Sequence, residues 1–131
     1  MLECLIIGDS IAVGVAQYMQ QCELQGKIGI TSTVYVKTFQ VKQANVTIIS
    51  LGSNDLGYNP HESMEKIRQQ ITNNVVWLIS ANSIEGALAA LKLAKQYNDQ
   101  VIRVDSVEMS TDNVHPTPKG LKQLSQKIMS L

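Results

Sequence analysis

The sequence predicts an α/β protein with three layers, in which helices cover both faces of a five-stranded parallel sheet. Short runs of Leu, Ile and Val recur along the chain, as expected of strands that are buried on both faces. Between these runs, apolar residues recur at intervals of three and four residues, which is the period of a helix packed on a sheet. This alternation of strand and helix favours βαβ units and therefore parallel pairing.

Four strands are predicted over residues 2–7, 46–51, 75–79 and 101–107. The first three are almost continuously apolar, whereas the fourth contains Arg103 and Asp105 and is expected at the edge of the sheet. A short further strand is expected over 27–30, ahead of a helix over 33–39. The β-branched residues of that last segment leave a strand as the alternative. We expect the flavodoxin-like strand order 2-1-3-4-5.

The other helices are predicted from four apolar faces. Their members are Ile11, Val15, Tyr18 and Cys22; Met64, Ile67 and Ile71; Ile84, Leu88, Leu91 and Lys95; and Leu121, Leu124, Ile128 and Leu131. Asn59 and Pro60, followed by Glu62, predict a helix cap, a first-turn proline and a capping-box acid. Thr117 and Pro118 repeat the cap and the proline before the last helix.

Composition restricts the class of protein and its partners. With 131 residues and a formal net charge of zero, the chain is expected to form one domain over 1–131. The absence of a basic cluster argues against nucleic acid as a partner, and no apolar stretch is long enough to span a bilayer. We find no signal peptide and expect a cytoplasmic protein. Cys4 and Cys22 fit no metal motif and are expected to be reduced, small apolar residues.

Two loops are expected at the switch point of this strand order, where ligands bind in such sheets. The first, GDS, ends at Ser10, and the second, GSND, contains Asn54 and Asp55. Taken alone, Ser10 is more typical of a helix cap than of a nucleophile, and Asn54 with Asp55 is more typical of a turn. The two loops therefore mark the place of a site without yet defining its chemistry.

The last loop carries a histidine and a carboxylate three residues apart. Asp112 can fold back to accept the proton on one imidazole nitrogen of His115, and Pro116 favours an extended backbone from which the ring projects. The second imidazole nitrogen is then available to the Ser10 hydroxyl. Asp105 is the alternative orienting acid, and a solvated loop histidine is the simpler interpretation of His115.

Four segments in this order resemble the motif blocks of the SGNH, or GDSL-like, hydrolases. They are GDS, the glycine of KIGITS, GSND and DNVHPT, and they extend over the chain from Gly8 to Gly120. The sequence departs from the family pattern at Ile11, where the family has Leu. It also has Lys and Ile before the glycine of the second block, so that Gly26 competes with Gly29 for the role of that glycine.

The resemblance implies a serine hydrolase. Ser10 would be the nucleophile, His115 the general base and Asp112 the acid that orients it. The backbone N–H groups of Ser10 and Gly29 and the side-chain amide of Asn54 would form the oxyanion hole, because a tetrahedral oxyanion needs fixed donors.

The reaction implied is hydrolysis of short-chain acyl or acetyl esters, with carbohydrate O-acetyl esters and small aryl esters as first substrates and no metal or organic cofactor. A short chain leaves few residues for a lid, so we expect an open, shallow site. Tyr58 and Asn59 are candidates for substrate contact at its rim. Trp77 is expected in the core, and His61 at the surface near a helix start.

Two other functions are compatible with the fold. One is a binding or assembly module that keeps the motifs without turnover. The other is a phosphate or nucleotide binder that uses the GDS loop at a helix N-terminus. The second lacks a glycine-rich loop, and the carboxylate of Asp9 would repel a phosphate.

Overall fold

The computed structural model describes residues 1–131 and contains one parallel sheet. Its strands are β1 (Leu2–Gly8), β2 (Glu23–Gly26), β3 (Ala44–Ser50), β4 (Asn74–Ile79) and β5 (Gln100–Arg103). They pair in the order β2-β1-β3-β4-β5, which confirms the predicted flavodoxin-like topology. The carboxyl ends of all five strands therefore meet at one edge of the sheet.

Five helices cover the sheet, and none is long and apolar enough to cross a membrane. They are α1 (Ser10–Ala16), α2 (Ser32–Thr38), α3 (His61–Gln69), α4 (Ile84–Tyr97) and α5 (Pro118–Met129). One core packs α2, α3 and α4 against the sheet around Tyr35, Met64 and Leu93, and it contains Trp77 as predicted. The second core packs α1 and α5 on the opposite face through Ile11 and Leu124. This arrangement confirms the predicted three layers.

The strand predicted over 27–30 was wrong, because β2 lies four residues earlier. Glu23–Gly26 is a short edge strand that pairs with Leu5–Gly8 of β1. Its half-buried sequence ELQG contains no apolar run, so hydrophobic periodicity does not reveal it. The segment 33–39, for which a strand was the alternative, is helical. Thr31 caps α2 by accepting from the N–H of Val34 at 3.2 Å.

The predicted apolar face of α4 was also wrong. Ile84, Leu88 and Leu91 are 72%, 61% and 43% exposed, respectively. The buried face consists of small residues together with Leu93, namely Gly86, Ala89, Ala90, Leu93 and Ala94. A Cβ added at Gly86 would lie 2.2 Å from the carbonyl oxygen of Gly52, so the helix approaches the backbone after β3 too closely for larger side chains. Close packing, and not hydrophobicity, decides which face is buried.

Three element boundaries differ from the predictions. Helix α1 ends at Ala16, so that Tyr18 and Cys22 lie beyond it. Strand β5 ends at Arg103, and a 3-10 turn over Val104–Ser106 replaces its predicted second half. In α3 the cap position is Pro60 and His61 is the first helical residue, although the side chain of Asn59 still accepts from the N–H of His61 at 3.0 Å. Thr117 caps α5 as predicted.

The two cysteines form a disulfide and are not the free thiols that the sequence analysis expected. Cys4 lies in β1, Cys22 lies just before β2, and their Cα atoms are 4.4 Å apart. Cys4 is buried in the core, which agrees with its predicted apolar environment. The reducing compartment inferred from free thiols is not supported, and the cytoplasmic location stays a prediction.

Candidate active site

Ser10 lies two residues after the end of β1 and begins α1. The residue that caps the helix is Asp9, whose Oδ1 accepts from the N–H of Ile11 at 3.1 Å. The Ser10 hydroxyl is thereby left free of the capping role. Its Oγ lies 3.0 Å from Nε2 of His115, a residue 105 positions away in the sequence. The fold therefore brings these two predicted site residues into hydrogen-bond contact.

Asp112 contacts both the ring and the backbone of the histidine loop. Its Oδ2 lies 2.8 Å from Nδ1 of His115, while Oδ1 accepts from the N–H groups of Val114 at 2.8 Å and His115 at 3.0 Å. These hydrogen bonds hold the pKa of Asp112 well below its usual range, and the bond with the His115 ring has the largest effect. The alternative acid, Asp105, instead pairs with Arg103 at 2.8 Å. Of the two candidate acids, Asp112 is thus the one in contact with the imidazole.

The loop that carries His115 is fixed at both of its ends. The N–H of Ser110 donates to the carbonyl of His115 at 2.8 Å, and the N–H of Thr117 donates to the carbonyl of Glu108 at 3.1 Å. A Cβ at Gly120 would lie 1.9 Å from the same Glu108 carbonyl oxygen, so glycine allows the first turn of α5 to pack directly on this loop. Backbone contacts therefore fix the loop from which the imidazole projects.

The backbone N–H groups of Ser10 and Gly29, two of the predicted oxyanion donors, have no acceptor within the protein. Gly29 has a φ of +80°, a conformation that favours glycine, and nothing lies within 4 Å of the place its Cβ would take. Gly26, the competing residue, belongs to β2, where a Cβ would lie 2.6 Å from the Gly8 carbonyl oxygen. Close packing against β1 accounts for a glycine at position 26, whereas the backbone N–H of Gly29 is free to donate.

Asn54 lies in the loop after β3 and reaches the loop of Gly29. Its Nδ2 donates to the carbonyl of Ile30 at 3.1 Å, which leaves the second N–H of the amide available. At the start of the Gly29 loop, the N–H of Lys27 donates to the carbonyl of Gly8 at 2.9 Å. The loops after β1, β2 and β3 are therefore connected to one another at the carboxyl edge of the sheet.

The rim candidates Tyr58 and Asn59 make no hydrogen bond to Ser10 or His115. The Tyr58 hydroxyl lies 3.3 Å from Oγ1 of Thr33, and its side chain is partly exposed. The side chain of Asn59 is engaged at the start of α3. His61 has a buried Nε2 without a partner, although the sequence placed it at the surface.

Sequence reasoning gave no site role to two buried carboxyl groups next to the site residues. Asp9 is 1% exposed, and burial raises its pKa to about 6 against the hydrogen bonds from Ser50 and Ile11. Asp55 is fully buried and bonds to Ser32, the first residue of α2. The sequence signal for these groups was their position inside two motifs, Asp9 in GDS and Asp55 in GSND. Their hydrogen-bond partners depend on the fold.

The arrangement is open to solvent. The side chains of Asp112 and His115 are each 50% exposed. A cavity of about 350 Å³ lies away from them, between α5 and the amino ends of the strands, and is lined by Cys4, Met19 and Ile128 among others. No group of three or more His, Cys, Asp or Glu side chains is placed to hold a metal ion. A serine, a histidine and free N–H donors are the chemical groups at this edge.

Solved structures of ester hydrolases share this architecture. A GDSL-like lipase from Bacteroides thetaiotaomicron superposes with a TM-score of 0.73 at 16% identity, over 98% of this chain and 86% of that one. The chain has the fold of the GDSL-like hydrolases. The inhibitor-bound aryl esterase of M. smegmatis has a TM-score of 0.61 at 14% identity over the whole of both chains. A carbohydrate acetylesterase from Sinorhizobium meliloti superposes with a TM-score of 0.60 at 12% identity, over 99% of each chain.

No protein-family model and no curated protein sequence matches the chain. The likeness to the GDSL-like fold therefore rests on three-dimensional structure at identities below 20%. The assignment of chemical roles rests on the geometry around Ser10.

Proposed function

We propose that the protein is a serine hydrolase of the GDSL-like type that cleaves carboxylic esters. The observation that carries the proposal is the continuous contact from Ser10 Oγ to His115 Nε2 at 3.0 Å and from His115 Nδ1 to Asp112 Oδ2 at 2.8 Å. A serine hydroxyl becomes an effective nucleophile when a base can remove its proton, and this contact supplies the base.

In the acylation step, Nε2 of His115 takes the Ser10 proton while Oγ forms a bond to the ester carbonyl carbon. The N–H groups of Ser10 and Gly29 and the free amide N–H of Asn54 stabilise the resulting oxyanion. The bond to the alcohol oxygen then breaks, and the alcohol leaves with the proton held by His115. Asp112 stays ionised and stabilises the charged imidazole.

In the second step, a water molecule gives a proton to His115 as its oxygen attacks the acyl-Ser10 ester. As the tetrahedral intermediate collapses, the bond between Ser10 Oγ and the acyl carbon breaks, His115 returns the proton to Oγ, and the carboxylic acid is released. The net change is ester plus water to acid plus alcohol, without a cofactor. Every proton transfer passes through the imidazole, because it is the base in contact with Oγ.

We propose short acyl and acetyl groups as substrates. The half-exposed His115 and Asp112 support an open site that gives a long acyl chain little to bury itself in. Two of the solved structures that share the fold are called an aryl esterase and a carbohydrate acetylesterase, which makes small aryl acetates and acetylated sugars the first compounds to test. Tyr58, with its partly exposed ring, remains the rim candidate for substrate contact.

The 3.0 Å contact between Ser10 Oγ and His115 Nε2 disfavours the alternative of a binding module without turnover. Binding alone does not require a base in hydrogen-bond contact with the serine hydroxyl. The phosphate-binder alternative is disfavoured by Asp9, a buried carboxyl group within the GDS loop itself. Ester hydrolysis is the function that uses the free hydroxyl, its base and the unpaired N–H donors together.

The test is a panel of p-nitrophenyl esters and acetylated sugars with purified protein and its variants. We expect Ser10→Ala to abolish turnover, and Asp112→Asn to lower kcat by roughly 10²–10⁴-fold because the imidazole loses its orienting acceptor. Turnover should fall from acetate to long-chain esters.

Matched controls are Ser130→Ala and Asp105→Asn. Ser130 is an exposed serine at the end of α5, and Asp105 is an exposed acid held by Arg103, so both variants should keep wild-type rates. Wild-type protein that hydrolyses none of these esters faster than Ser10→Ala would refute the proposal.

A further inference from the structure

Asp55 is a buried carboxylate that joins the loop after β3 to the start of α2. Its side chain is 0% exposed, and no lysine, arginine or histidine pairs with it. Oδ1 accepts from the N–H of Ser32 at 2.9 Å, and Oδ2 accepts from the Ser32 hydroxyl. A buried carboxylate without a cation is costly unless hydrogen bonds satisfy it, so these bonds are needed to hold the group in the core.

The contacts extend from this pair to two helices. Ser63, in the first turn of α3, places its Oγ 2.7 Å from that of Ser32. Ser83, which caps α4, donates its hydroxyl to the backbone carbonyl of Asp55 at 2.8 Å. All four residues are buried. The loop after β3 is thereby anchored on the starts of α2, α3 and α4.

The anchored residues lie within three positions of two of the proposed oxyanion donors. Asp55 follows Asn54, whose amide is the donor from the β3 loop, and Ser32 lies three residues after Gly29, the donor from the β2 loop. Asn54 also donates to the carbonyl of Ile30, so that two adjacent residues of one loop bond to the other. These bonds hold the segment that follows Gly29 against the loop that carries Asn54.

We propose that Asp55, through Ser32, is a positioning residue that holds Gly29 and Asn54 at the spacing required for the oxyanion. This inference rests on the proposed function. Asp55 does not itself touch the substrate, because it is fully buried. Donors stabilise a transition state only when they are fixed where the charge develops, so loosening this contact should affect the chemical step more than substrate binding.

The experiment compares Asp55→Asn and Ser32→Ala with wild type in steady-state hydrolysis of a small aryl acetate. We expect Asp55→Asn to lower kcat roughly ten- to a hundredfold with KM changed less than about threefold, by analogy with the loss of one oxyanion donor. Ser32→Ala, which keeps the N–H bond, should have a smaller effect in the same direction. The double variant should be no worse than Asp55→Asn alone, because both substitutions break one contact.

The matched controls come from a second buried carboxylate at the opposite edge of the sheet. Asp99 accepts from Arg68 at 2.8 and 2.9 Å and from the indole N–H of Trp77 at 2.9 Å. Asp99→Asn and Trp77→Phe remove comparable bonds far from Ser10. Both should lower stability and keep kcat, measured at a temperature where every variant is folded.

A second readout separates positioning from general loosening. An alkyl boronic acid forms a tetrahedral anionic adduct with Ser10, and its affinity for Asp55→Asn should fall by about the same factor as kcat.

Wild-type kcat in folded Asp55→Asn and Ser32→Ala would overturn the inference and leave the proposed function standing. An equal loss of kcat in Asp99→Asn would also overturn it. If Asp55→Asn does not fold, the kcat of Ser32→Ala is compared with that of the control Trp77→Phe. A loss of kcat in Ser32→Ala alone supports the inference, and equal kcat values would overturn it. A wild-type protein inert toward all esters would overturn both proposals.

Discussion

At the scale of single residues, the Asp9 carboxyl group is buried beside Ser10 with only one oxygen hydrogen-bonded. Oδ1 accepts from the Ser50 hydroxyl at 2.9 Å and from the N–H of Ile11, whereas Oδ2 has no partner. Burial is the largest influence and raises the pKa of this group to about 6. The charged form of Asp9 is therefore tolerated at neutral pH at some cost to stability.

The raised pKa predicts a pH dependence with a definite sign. The folded protein retains the Asp9 proton up to about pH 6, whereas the unfolded chain loses it near the ordinary value of 3.8. Between these values the folded state binds more protons, so this group makes the free energy of unfolding fall as pH rises. The difference across the window is about 3 kcal/mol.

Urea unfolding of wild type and Asp9→Asn from pH 4 to pH 7 measures this contribution. Other carboxyl groups, including Asp112 with its lowered pKa, titrate alike in both proteins and cancel in the difference. We expect Asp9→Asn to gain stability relative to wild type as pH rises. Parallel pH curves for the two proteins would show that Asp9 does not titrate in this window.

At the scale of elements, the register of β1 and β2 explains the disulfide. Leu5 pairs with Glu23, which places the preceding residues, Cys4 and Cys22, side by side. The sequence prediction put the second strand at 27–30 and so separated Cys22 from β1. An error of four residues in one edge strand was enough to hide the cross-link.

The disulfide closes a loop of about 18 residues around α1. Constraining the unfolded chain in this way is expected to contribute about 3 kcal/mol to the free energy of unfolding. Denaturant unfolding with and without a reducing agent should show this loss. A Cys4→Ala/Cys22→Ala variant should be insensitive to the reductant. Two titratable thiols in the denatured, unreduced protein would contradict the cross-link.

The parts of the fold that were predicted are those that depend on local pattern. The apolar runs of β1, β3 and β4 and the Thr117–Pro118 start of α5 are visible in sequence because each depends on neighbouring residues. The face of α4 was not predictable in this way. Its small residues are buried because Gly86 meets Gly52, a contact between residues 34 positions apart in the chain.

At the scale of the whole molecule, the site joins loops from both ends of the chain. Parallel strands send their carboxyl ends to one edge, so the order of the sheet brings Ser10, Asn54 and His115 to that edge. Their approach was predictable from topology and motif spacing. The bonds of Asp55 to Ser32 were not, because they require side chains from separate elements to meet in the interior.

The proposed ester hydrolysis depends on activation of the Ser10 hydroxyl by His115. Intact-mass spectrometry after exposure to a small fluorophosphonate tests it without a choice of substrate, because the probe reacts with a serine that has a base beside it. We predict a single adduct that maps to Ser10 and is lost in both Ser10→Ala and His115→Ala. A folded wild-type protein without an adduct, or with labelling that persists in His115→Ala, would contradict the account.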